Sequence, residues 1–550
     1  MDFEWERRKG CLRSPRRAIR FSAALILISI VAACSAALPI AIVKAENLTF
    51  EKTWGGTDSE RGYAVARDPS GNIYITGYTK SFGAGDLDVF LLKYDSSGTL
   101  QWQKTWDGRG ADEEAYAVAV DSSSNIYITG RTYGFGTVCA YVFLLKYDSS
   151  GTLQWQKTWG GTGCNYGYGI AVDSSSNIYI TGTTDSFGAG DHDVLLLKYD
   201  SSGTLQWQKR WGDTGVDEGM AVAVDSSSNI YITGYTDSFG AGLLDALLLK
   251  YDSSGNLKWQ KTWGGGSDDD CMAIAMDASG NIYITGETES FGAGLWDVLL
   301  LKYDSSGTLQ WQKTWGGGSD DDCMAIAMDA SGNIYITGET ESFGAGWFDV
   351  LLLKYDSSGN IQWQKTYGGA GSDGGYAVAV DSSSNIYITG TTDSFGAGDH
   401  DVLLLKYDSS GTLQWQKRWG DTGDDIGYGV AVGSSYFIGR TSSASRTLSD
   451  VSGTQKDVTT ATAQDVTGTQ NDVTGTEKDV TGIQEDVSGS ETYAGQDDVF
   501  LFTPLPAPAP KPVGGYLRPV SKLELLAPYI ALLGLVGAVT AICLRRRRNS

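Results

Sequence analysis

The amino-acid sequence predicts an all-β protein: an eight-bladed β-propeller of four-stranded antiparallel blades, with an N-terminal signal or anchor segment and a C-terminal transmembrane helix. Three observations predict this fold class. A unit of 52 or 53 residues recurs eight times in the chain of 550 residues. Each unit contains four short β-rich runs. The segment before the first unit supplies the one run that the last unit lacks. Repeats of this length are typical of propellers and solenoids.

The repeat is marked by an aromatic residue at which each unit begins. These residues are Trp54, Trp106, Trp159, Trp211, Trp263, Trp315, Tyr367 and Trp419. In the unit that begins at Trp211, the β-rich runs are residues 220–224, 229–234, 245–251 and 257–263. Asp-Ser-Ser-Ser-Asn and Asp-Ser-Ser-Gly segments join the first run to the second and the third to the fourth. Because aspartate, asparagine and glycine favour tight turns, each unit predicts two hairpins and thus one four-stranded blade.

Closure of the ring is predicted from the two ends of the repeat region. The last unit ends at residues 498–502, its third run, and has no fourth run. Residues 48–54 match the missing fourth run and can complete the last blade. An open solenoid would not need this complementarity, so we expect a propeller domain over residues 46–505.

The chain ends predict a membrane-tethered protein. Residues 1–20 form a basic n-region, and residues 21–45 form an apolar signal peptide or retained signal anchor. A proline-rich spacer at 506–524 precedes an apolar, uncharged segment at 525–544 and an arginine-rich tail at 545–550. That segment is long enough to span a bilayer, and flanking arginines favour the cytoplasmic side. The expected location is the cell membrane, with the propeller extracytoplasmic and the C-terminus cytoplasmic.

The charge of the chain excludes one class of function. The net charge is −24, and both ends are basic, so the region between them is more acidic still. An acidic surface repels phosphate backbones. We therefore expect no nucleic-acid binding.

The repeat resembles a known family. The run at residues 229–234 reads Asn-Ile-Tyr-Ile-Thr-Gly, and a third run such as residues 297–303 reads Asp-Val-Leu-Leu-Leu-Lys-Tyr. Over roughly residues 46–505 this pattern resembles the prokaryotic SBBP β-propeller repeat, and residues 513–530 resemble the tails of archaeal surface proteins. The resemblance implies a cell-surface protein and brings no catalytic residues. The family name refers to seven blades, whereas the repeat count in this chain is eight.

Acidic residues before the first run of each unit predict a possible Ca²⁺ site, because calcium favours several oxygen ligands. They are Asp58, Asp112, Asp217, Asp268, Asp269, Asp270, Asp320, Asp321, Asp322, Asp424 and Asp425, with Glu60, Glu113, Glu114 and Glu218 beside them. The loops between the second and third runs add Asp86, Asp88, Asp191, Asp193, Asp399 and Asp401. None of these loops contains the ordered Asp-x-Asp-x-Asp-Gly pattern of a dedicated calcium loop. A solvated acidic rim is the other interpretation.

Cysteines, histidines and one sequon are the remaining candidates. Cys139 and Cys164 should lie in neighbouring loops on one face, so an oxidising compartment would permit a disulfide. His192 and His400 occupy copied positions four units apart, too far to share a metal ion. Asn47 begins an N-glycosylation sequon.

An insertion at residues 446–492 interrupts the last unit. Asp-Val recurs there at residues 450, 457, 465, 472, 479 and 486, mostly seven residues apart. With about one apolar residue in seven, the insertion cannot form a coiled-coil seam. It is interpreted as a low-complexity, solvated loop, with neutral expansion of a DNA repeat as the alternative.

Function is predicted only broadly. We expect a binding or adhesion module that uses its loop face, with the membrane, a surface protein or a glycan as partner. A quinoprotein-like or other propeller enzyme and a structural envelope protein are the alternatives. No catalytic constellation stands out, so an enzyme is not expected. Convergence of non-repeating residues in one cleft would favour an enzyme, and a uniform rim would favour binding.

Overall fold

The structure is a computed structural model. It describes residues 48–504, apart from residues 57, 85, 136–138, 189–190, 397–399, 421–424, 432–435, 442–446, 451–453 and 458–497. All of its regular elements in this part of the chain are β-strands. No membrane-spanning helix is found among the residues described. The predicted N-terminal segment, the helix at 525–544 and the sequon at Asn47 lie outside them.

Seven blades are formed by contiguous chain, each from four consecutive antiparallel strands. Blade 1 comprises β2 (Glu60–Arg67), β3 (Ile73–Thr79), β4 (Asp88–Tyr94) and β5 (Leu100–Trp106), and blade 2 comprises β6 (Glu113–Val120), β7 (Ile126–Thr132), β8 (Tyr141–Tyr147) and β9 (Leu153–Trp159). Blade 3 comprises β10 (Asn165–Val172), β11 (Ile178–Thr184), β12 (Asp193–Tyr199) and β13 (Leu205–Trp211), and blade 4 comprises β14 (Asp217–Val224), β15 (Ile230–Thr236), β16 (Asp245–Tyr251) and β17 (Leu257–Trp263). Blade 5 comprises β18 (Ala273–Met276), β19 (Ile282–Thr288), β20 (Asp297–Tyr303) and β21 (Leu309–Trp315). Blade 6 comprises β22 (Asp321–Met328), β23 (Ile334–Thr340), β24 (Asp349–Tyr355) and β25 (Ile361–Gly368). Blade 7 comprises β26 (Asp373–Val380), β27 (Ile386–Thr392), β28 (Asp401–Tyr407) and β29 (Leu413–Gly420).

A composite sheet, which we call the seam sheet, joins the two ends of the repeat region. It contains β30 (Ile426–Ala431), β31 (Tyr436–Thr441), β34 (Asp498–Pro504) and β1 (Leu48–Trp54) in the order β1-β34-β31-β30. Strand β1 pairs antiparallel with β34, in the place that a fourth strand takes in the other blades. Strand β30 contacts β26 of blade 7 and β2 of blade 1, so the ring is closed.

The insertion contributes two further strands. Strand β32 (Thr447–Asp450) pairs with β29 of blade 7, and β33 (Thr454–Asp457) pairs with β25 of blade 6. These residues are therefore not part of a wholly solvated loop. An outer strand has unpaired backbone groups, and they accept an extended segment of almost any composition.

The predicted fold class is corrected by these findings. Eight four-stranded blades were expected, the last completed by residues 48–54. Contiguous repeats form seven blades, and the remaining sheet is a composite of distant segments. Blades 6 and 7 each carry a fifth strand. Counting units overestimates the blades because the last unit has no fourth run and is interrupted by the insertion.

The core lies between neighbouring blades. Tyr74 and Trp106 of blade 1, for example, pack with Ile126 and Phe143 of blade 2. The closing tryptophan of a blade also donates its indole N–H to a glutamine of the next blade, as in the bond from Trp106 to Gln156 of 2.8 Å. The recurrent tryptophan and glutamine of the fourth run thus join blades 1 to 6 in sequence, and Trp54 of β1 donates in the same way to Gln103 of blade 1.

The first strand of each blade lines the centre of the ring. These strands contact one another in sequence, from β2 to β6 and onward to β30. Most contain a β-bulge, for example between Gly62 and Ala64 of blade 1. A bulge re-aims the extra side chain. The residue at this bulge, Tyr63 in blade 1, therefore differs in environment from its neighbours along the strand.

Candidate functional site

The candidate site is one end of the central channel, which we call the mouth. It is formed by the second residue of each first strand and the sixth residue of each second strand, which lie opposite each other. In blade 5 the first member, Asp270, precedes the shorter strand β18 and exchanges backbone hydrogen bonds with Glu287. The pairs in blades 1 to 7 are Arg61 and Tyr78, Glu114 and Arg131, Tyr166 and Thr183, Glu218 and Tyr235, Asp270 and Glu287, Asp322 and Glu339, and Gly374 and Thr391. The repeat varies at these positions, although most of each blade is copied.

Five carboxylates lie on one side of the mouth, in blades 4 to 6. We call this set the acidic arc: Glu218, Asp270, Glu287, Asp322 and Glu339. Burial, followed by the charges of Asp322 and Asp270, raises the pKa of Glu287 to about 9. Burial and the charge of Asp322 raise the pKa of Glu339 to about 7. Like charges held close together away from water favour protonation, so the arc retains protons near neutral pH.

Burial also raises the pKa of two aspartates of the arc. For Asp270, burial is the main cause. A backbone hydrogen bond with Glu287 lowers the pKa, the charge of Asp322 raises it, and the resulting pKa is about 6. Burial and the charges of Asp320 and Asp321 raise the pKa of Asp322 to about 6. Four adjacent carboxyl groups therefore titrate between about pH 6 and 9, and a bound cation would displace their protons.

Arginines mark the other side of the mouth, in blades 1 and 2. Arg131 forms an ion pair of 2.6 Å with Glu114, both partly buried. The Arg61 guanidinium lies 5.9 Å from the ring centre of Tyr63 and 5.7 Å from that of Tyr78. The two sides of the mouth therefore differ in charge: blades 4 to 6 carry the acidic arc, whereas blades 1 and 2 carry two guanidinium groups, one of them paired with Glu114.

Five tyrosines form a continuous arc in the channel wall, one bulge position per sheet. They run from blade 7 through the seam sheet to blade 3: Tyr376, Tyr428, Tyr63, Tyr116 and Tyr168. Successive ring centres are 6.1, 5.8, 5.9 and 6.0 Å apart. Methionines 220, 272 and 324 hold this position in blades 4 to 6. The channel wall thus presents an aromatic and a thioether sector.

The predicted acidic rim is divided between three places. Asp217 and Asp321 begin first strands, Asp269 and Asp425 precede them, and all four are fully buried. Three of them accept hydrogen bonds from threonines 236, 288 and 340. Asp270 and Asp322 belong to the mouth, whereas Asp58, Asp112, Asp268 and Asp320 lie in the loops. Asp424 lies outside the described residues.

The buried first-strand aspartates face an aspartate of the preceding blade. A Cβ atom added to Gly316 would lie 1.8 Å from Asp297 Oδ1 and 2.7 Å from Asp321 Oδ2. Burial raises the pKa of Asp297, and burial with the charge of Asp297 raises that of Asp321. Glycine at this position keeps the space between the two carboxylates open.

At one junction an aspartate replaces that glycine. Oxygen atoms of Asp88, Asp107 and Glu113 all lie within 4.8 Å of one another, close enough to share a metal ion. Carboxylate oxygens are the ligands that calcium prefers. The sequence prediction included Asp88 and Glu113 among the acidic loop residues but missed Asp107. The signal was Asp107 itself, which stands where the other repeats have glycine.

Cys139 and Cys164 form a disulfide with a Cα–Cα distance of 4.9 Å, which joins a loop of blade 2 to the loop before blade 3. Cys271 and Cys323 are buried free thiols. His192 lies 3.4 Å from both Asp185 and Glu218, so it borders the acidic arc. His400 lies 3.3 Å from Asp393 in the corresponding place.

The sequence prediction missed two members of the acidic arc, Glu287 and Glu339. They occur inside the second run, which reads Ile-Tyr-Ile-Thr-Gly-Glu-Thr in blades 5 and 6 and carries Tyr, Arg or Thr instead of Glu elsewhere. Their variation among otherwise similar repeats was the available signal.

Comparison with known proteins agrees with the repeat. A family model described as the SBBP β-propeller repeat matches residues 55–83, 108–136, 162–188, 206–240 and 362–396. The chain contains SBBP β-propeller repeats. Each match includes the first and second strands of one blade, which are the strands that carry the mouth residues.

Two curated relatives are distant in sequence. An uncharacterized WD repeat-containing protein of Acanthamoeba polyphaga mimivirus is 22% identical over 502 residues, covering 69% of this chain and 35% of that protein. Regulatory protein FlaEY of Caulobacter vibrioides is 24% identical over 331 residues, covering 47% of this chain and 34% of that protein. The chain thus spans about a third of the length of these relatives.

The solved structures that the chain matches are also distant. BamB from Moraxella catarrhalis has a TM-score of 0.40 at 10% identity, covering 72% of this chain and 96% of that chain. The WD40 β-propeller domain of Doa1 has a TM-score of 0.38 at 12% identity, covering 63% of this chain and 94% of that chain.

Proposed function

We propose that this β-propeller repeat protein is a binding module and that the mouth binds a basic segment of a surface protein. The observation that carries the proposal is the acidic arc, in which three adjacent blades contribute five carboxylates at positions that are mostly not acidic in the other blades. Positive charges spaced along a peptide would contact several blades at once. We propose a role in binding without catalysis.

The electrostatics of the mouth support this ligand class. Mutual repulsion and burial hold protons on the arc, and the pKa of Glu287 is about 9. A lysine or arginine side chain removes the repulsion and forms charge-assisted hydrogen bonds. The tyrosine arc adds aromatic faces that attract cations. Binding should therefore release protons and strengthen as the pH rises.

The proposed setting is outside the cell membrane. The basic n-region, the apolar segments at 21–45 and 525–544 and the arginine-rich tail support an anchored protein with an extracytoplasmic propeller. The disulfide between Cys139 and Cys164 supports an oxidising compartment. In this arrangement the mouth would be available to proteins of the same surface.

The test is calorimetric titration of the detergent-solubilised protein with tetralysine. We expect binding at pH 8.5 that is at least tenfold tighter than at pH 6, because protons occupy the arc at the lower pH. Glu339→Gln should weaken binding at pH 8.5 at least fivefold. Glu341→Gln is the matched control, since this exposed carboxylate lies two residues away and outside the arc.

Two results would contradict the proposal. One is equal weakening by Glu339→Gln and Glu341→Gln, which would indicate a general effect of net charge. The other is binding that does not change between pH 6 and 8.5, because the arc titrates across that interval.

A further inference from the structure

The two strands of the insertion, β32 and β33, pair with neighbouring blades in the same register. In blade 7, Asp450 of β32 is paired with Lys417, and Thr447 is paired with Gly420. In blade 6, Asp457 of β33 is paired with Lys365 in the same register. Asp450 and Asp457 are seven residues apart, and Lys417 and Lys365 are one 52-residue repeat apart. Advancing seven residues along the insertion therefore moves the pairing back by one blade.

The four-residue unit that forms these strands recurs in the sequence. After Thr447–Asp450 and Thr454–Asp457, similar units ending in Asp-Val occupy residues 462–465, 469–472, 476–479 and 483–486. The steps between their aspartates are seven or eight residues, as long as the step that separates β32 from β33. Each unit could therefore reach the next blade in turn.

The blades that follow in this order offer matching edges. The outermost strands of blades 5, 4, 3 and 2 are β21, β17, β13 and β9, which are the last strands of their sheets in the part of the chain that the structure describes. Each carries lysine at the position that pairs with aspartate in blades 6 and 7: Lys313, Lys261, Lys209 and Lys157. All six units and all six edges thus provide an aspartate and a lysine in register.

Burial distinguishes covered edges from open ones. Lys365 and Lys417, beside β33 and β32, are 7% and 6% exposed. The corresponding lysines of blades 2 to 5 are only partly buried. At the edge of blade 5, a cavity of about 570 Å³ is bordered by Lys313, Thr314, Trp315 and Gly316, the four residues that would pair with a unit. The edge therefore has room for another strand.

We propose that the edges of blades 5, 4, 3 and 2 are docking surfaces for residues 462–465, 469–472, 476–479 and 483–486 of the same chain, in that order. Each unit adds a fifth strand with its aspartate opposite the lysine. The backbone of the edge supplies hydrogen bonds, and opposite charges in directly paired positions stabilise antiparallel strands. The insertion then forms a belt around the propeller. This inference does not depend on the proposed ligand of the mouth.

Pairs of cysteines in the full-length protein test the belt. The register places residue 464 opposite Thr314 and residue 471 opposite Thr262. Directly opposed residues of antiparallel strands are about 4.5 to 5.5 Å apart between Cα atoms, which permits a disulfide. The test variant is Thr314→Cys with Gln464→Cys. Thr366→Cys with Lys456→Cys is the positive control, because the structure pairs these residues.

The negative control exchanges the units. Thr314→Cys with Asn471→Cys joins blade 5 to the unit assigned to blade 4 and should give less than a fifth of the disulfide formed by the test variant. Thr262→Cys with Asn471→Cys should restore it. Mass spectrometry of the oxidised, digested protein measures each linked peptide pair. Equal linkage of residue 314 to residues 464 and 471 would overturn the proposal, as would failure of the Thr366 control or of the test variant.

Discussion

Single residues at blade junctions set the local electrostatics of the ring. Most junctions place two buried carboxylates across a glycine, but Asp107 adds a third carboxylate beside Asp88 and Glu113. Burial, together with the charges of Asp107 and Asp88, raises the pKa of Glu113 to about 7. An ordinary glutamate titrates near pH 4.5, so folding favours the protonated form of Glu113.

We expect Asp107→Asn to stabilise the protein by up to about 1 kcal/mol at pH 8, since it removes one like charge. A raised folded-state pKa means that native stability falls as the pH rises from about 4.5 to 7 and stays constant above that interval. The gain in melting temperature should therefore be absent below pH 4.5 and complete above pH 7. Thermal unfolding from pH 4 to 8 measures this.

Asp112→Asn is the control for that prediction, because Asp112 lies in the same loop and outside the three-carboxylate group. A gain of the same size in both variants, or a gain that is constant with pH, would contradict the assigned repulsion. Repeating the scans with calcium chloride reports whether the group holds a cation. Calcium bound there would stabilise the natural protein more than it stabilises the Asp107→Asn variant.

The identity of the mouth residues was visible in the sequence, but their convergence was not. Glu287 and Glu339 are 52 residues apart along the chain, and the packing of blade 5 against blade 6 brings them together. The two runs of aspartates at residues 268–270 and 320–322 were part of the basis for the calcium prediction. The structure separates the members of each run, because Asp269 and Asp321 are fully buried whereas Asp270 and Asp322 belong to the mouth.

At the scale of elements, the loop pair joined by Cys139 and Cys164 links blades 2 and 3 covalently. The two cysteines are 25 residues apart in sequence. Cross-linking a loop of this length restricts the unfolded chain and typically stabilises the folded state by about 3 kcal/mol. At the junction of these two blades, Tyr141 and Asn165 occupy the two positions that are both acidic at several other junctions.

We expect the double substitution Cys139→Ser with Cys164→Ser to lower the free energy of unfolding by about 3 kcal/mol. Chemical denaturation with and without dithiothreitol measures the loss. Reductant should destabilise the natural protein by a similar amount and leave the double variant unchanged. Cys271 is buried, so its thiol should not contribute to this response. Equal stability of both proteins without reductant would show that the linkage is energetically neutral.

The strands of the blades could be predicted because their patterns are strong. Alternation along β5 follows from one face that packs inward and one that meets solvent, and the buried strand β4 is apolar in nearly every position. Strands β32 and β33 could not be predicted by the same reasoning. Their residues, Thr-Leu-Ser-Asp and Thr-Gln-Lys-Asp, have little strand preference, and an existing sheet edge supplies their partners.

At the scale of the whole molecule, stability depends on the seam. Seven blades each fold from contiguous chain, whereas the seam sheet needs β1 from the start of the repeat region and β34 from its end. The pairing of β1 with β34 follows from the match of residues 48–54 to a fourth run. The number of contiguous blades did not follow from the repeat count, because a partial last unit was counted as a blade.

Deletion of residues 48–54 should expose β34 as an edge and promote association between molecules. We expect dimers or larger species in light scattering, together with a lower and broader thermal transition. The matched control replaces Thr49, Phe50 and Glu51 with Gln, Trp and Gln, which gives the sequence of β5. This exchange should leave the protein monodisperse. A deletion variant that behaves like the control would show that β1 is dispensable for closure.

The pairing of Leu48 with Pro504 has a mechanical consequence. The first and last residues of the propeller lie side by side at one end of an antiparallel pair, so tension that separates them acts on one hydrogen-bonded rung at a time. Such a zipper geometry opens at lower force than a pair of strands loaded in shear, where many rungs must break together. Tension drawn between residues 48 and 504 would therefore open the seam before it disturbed the seven contiguous blades, and release of the tension would let the ring close again.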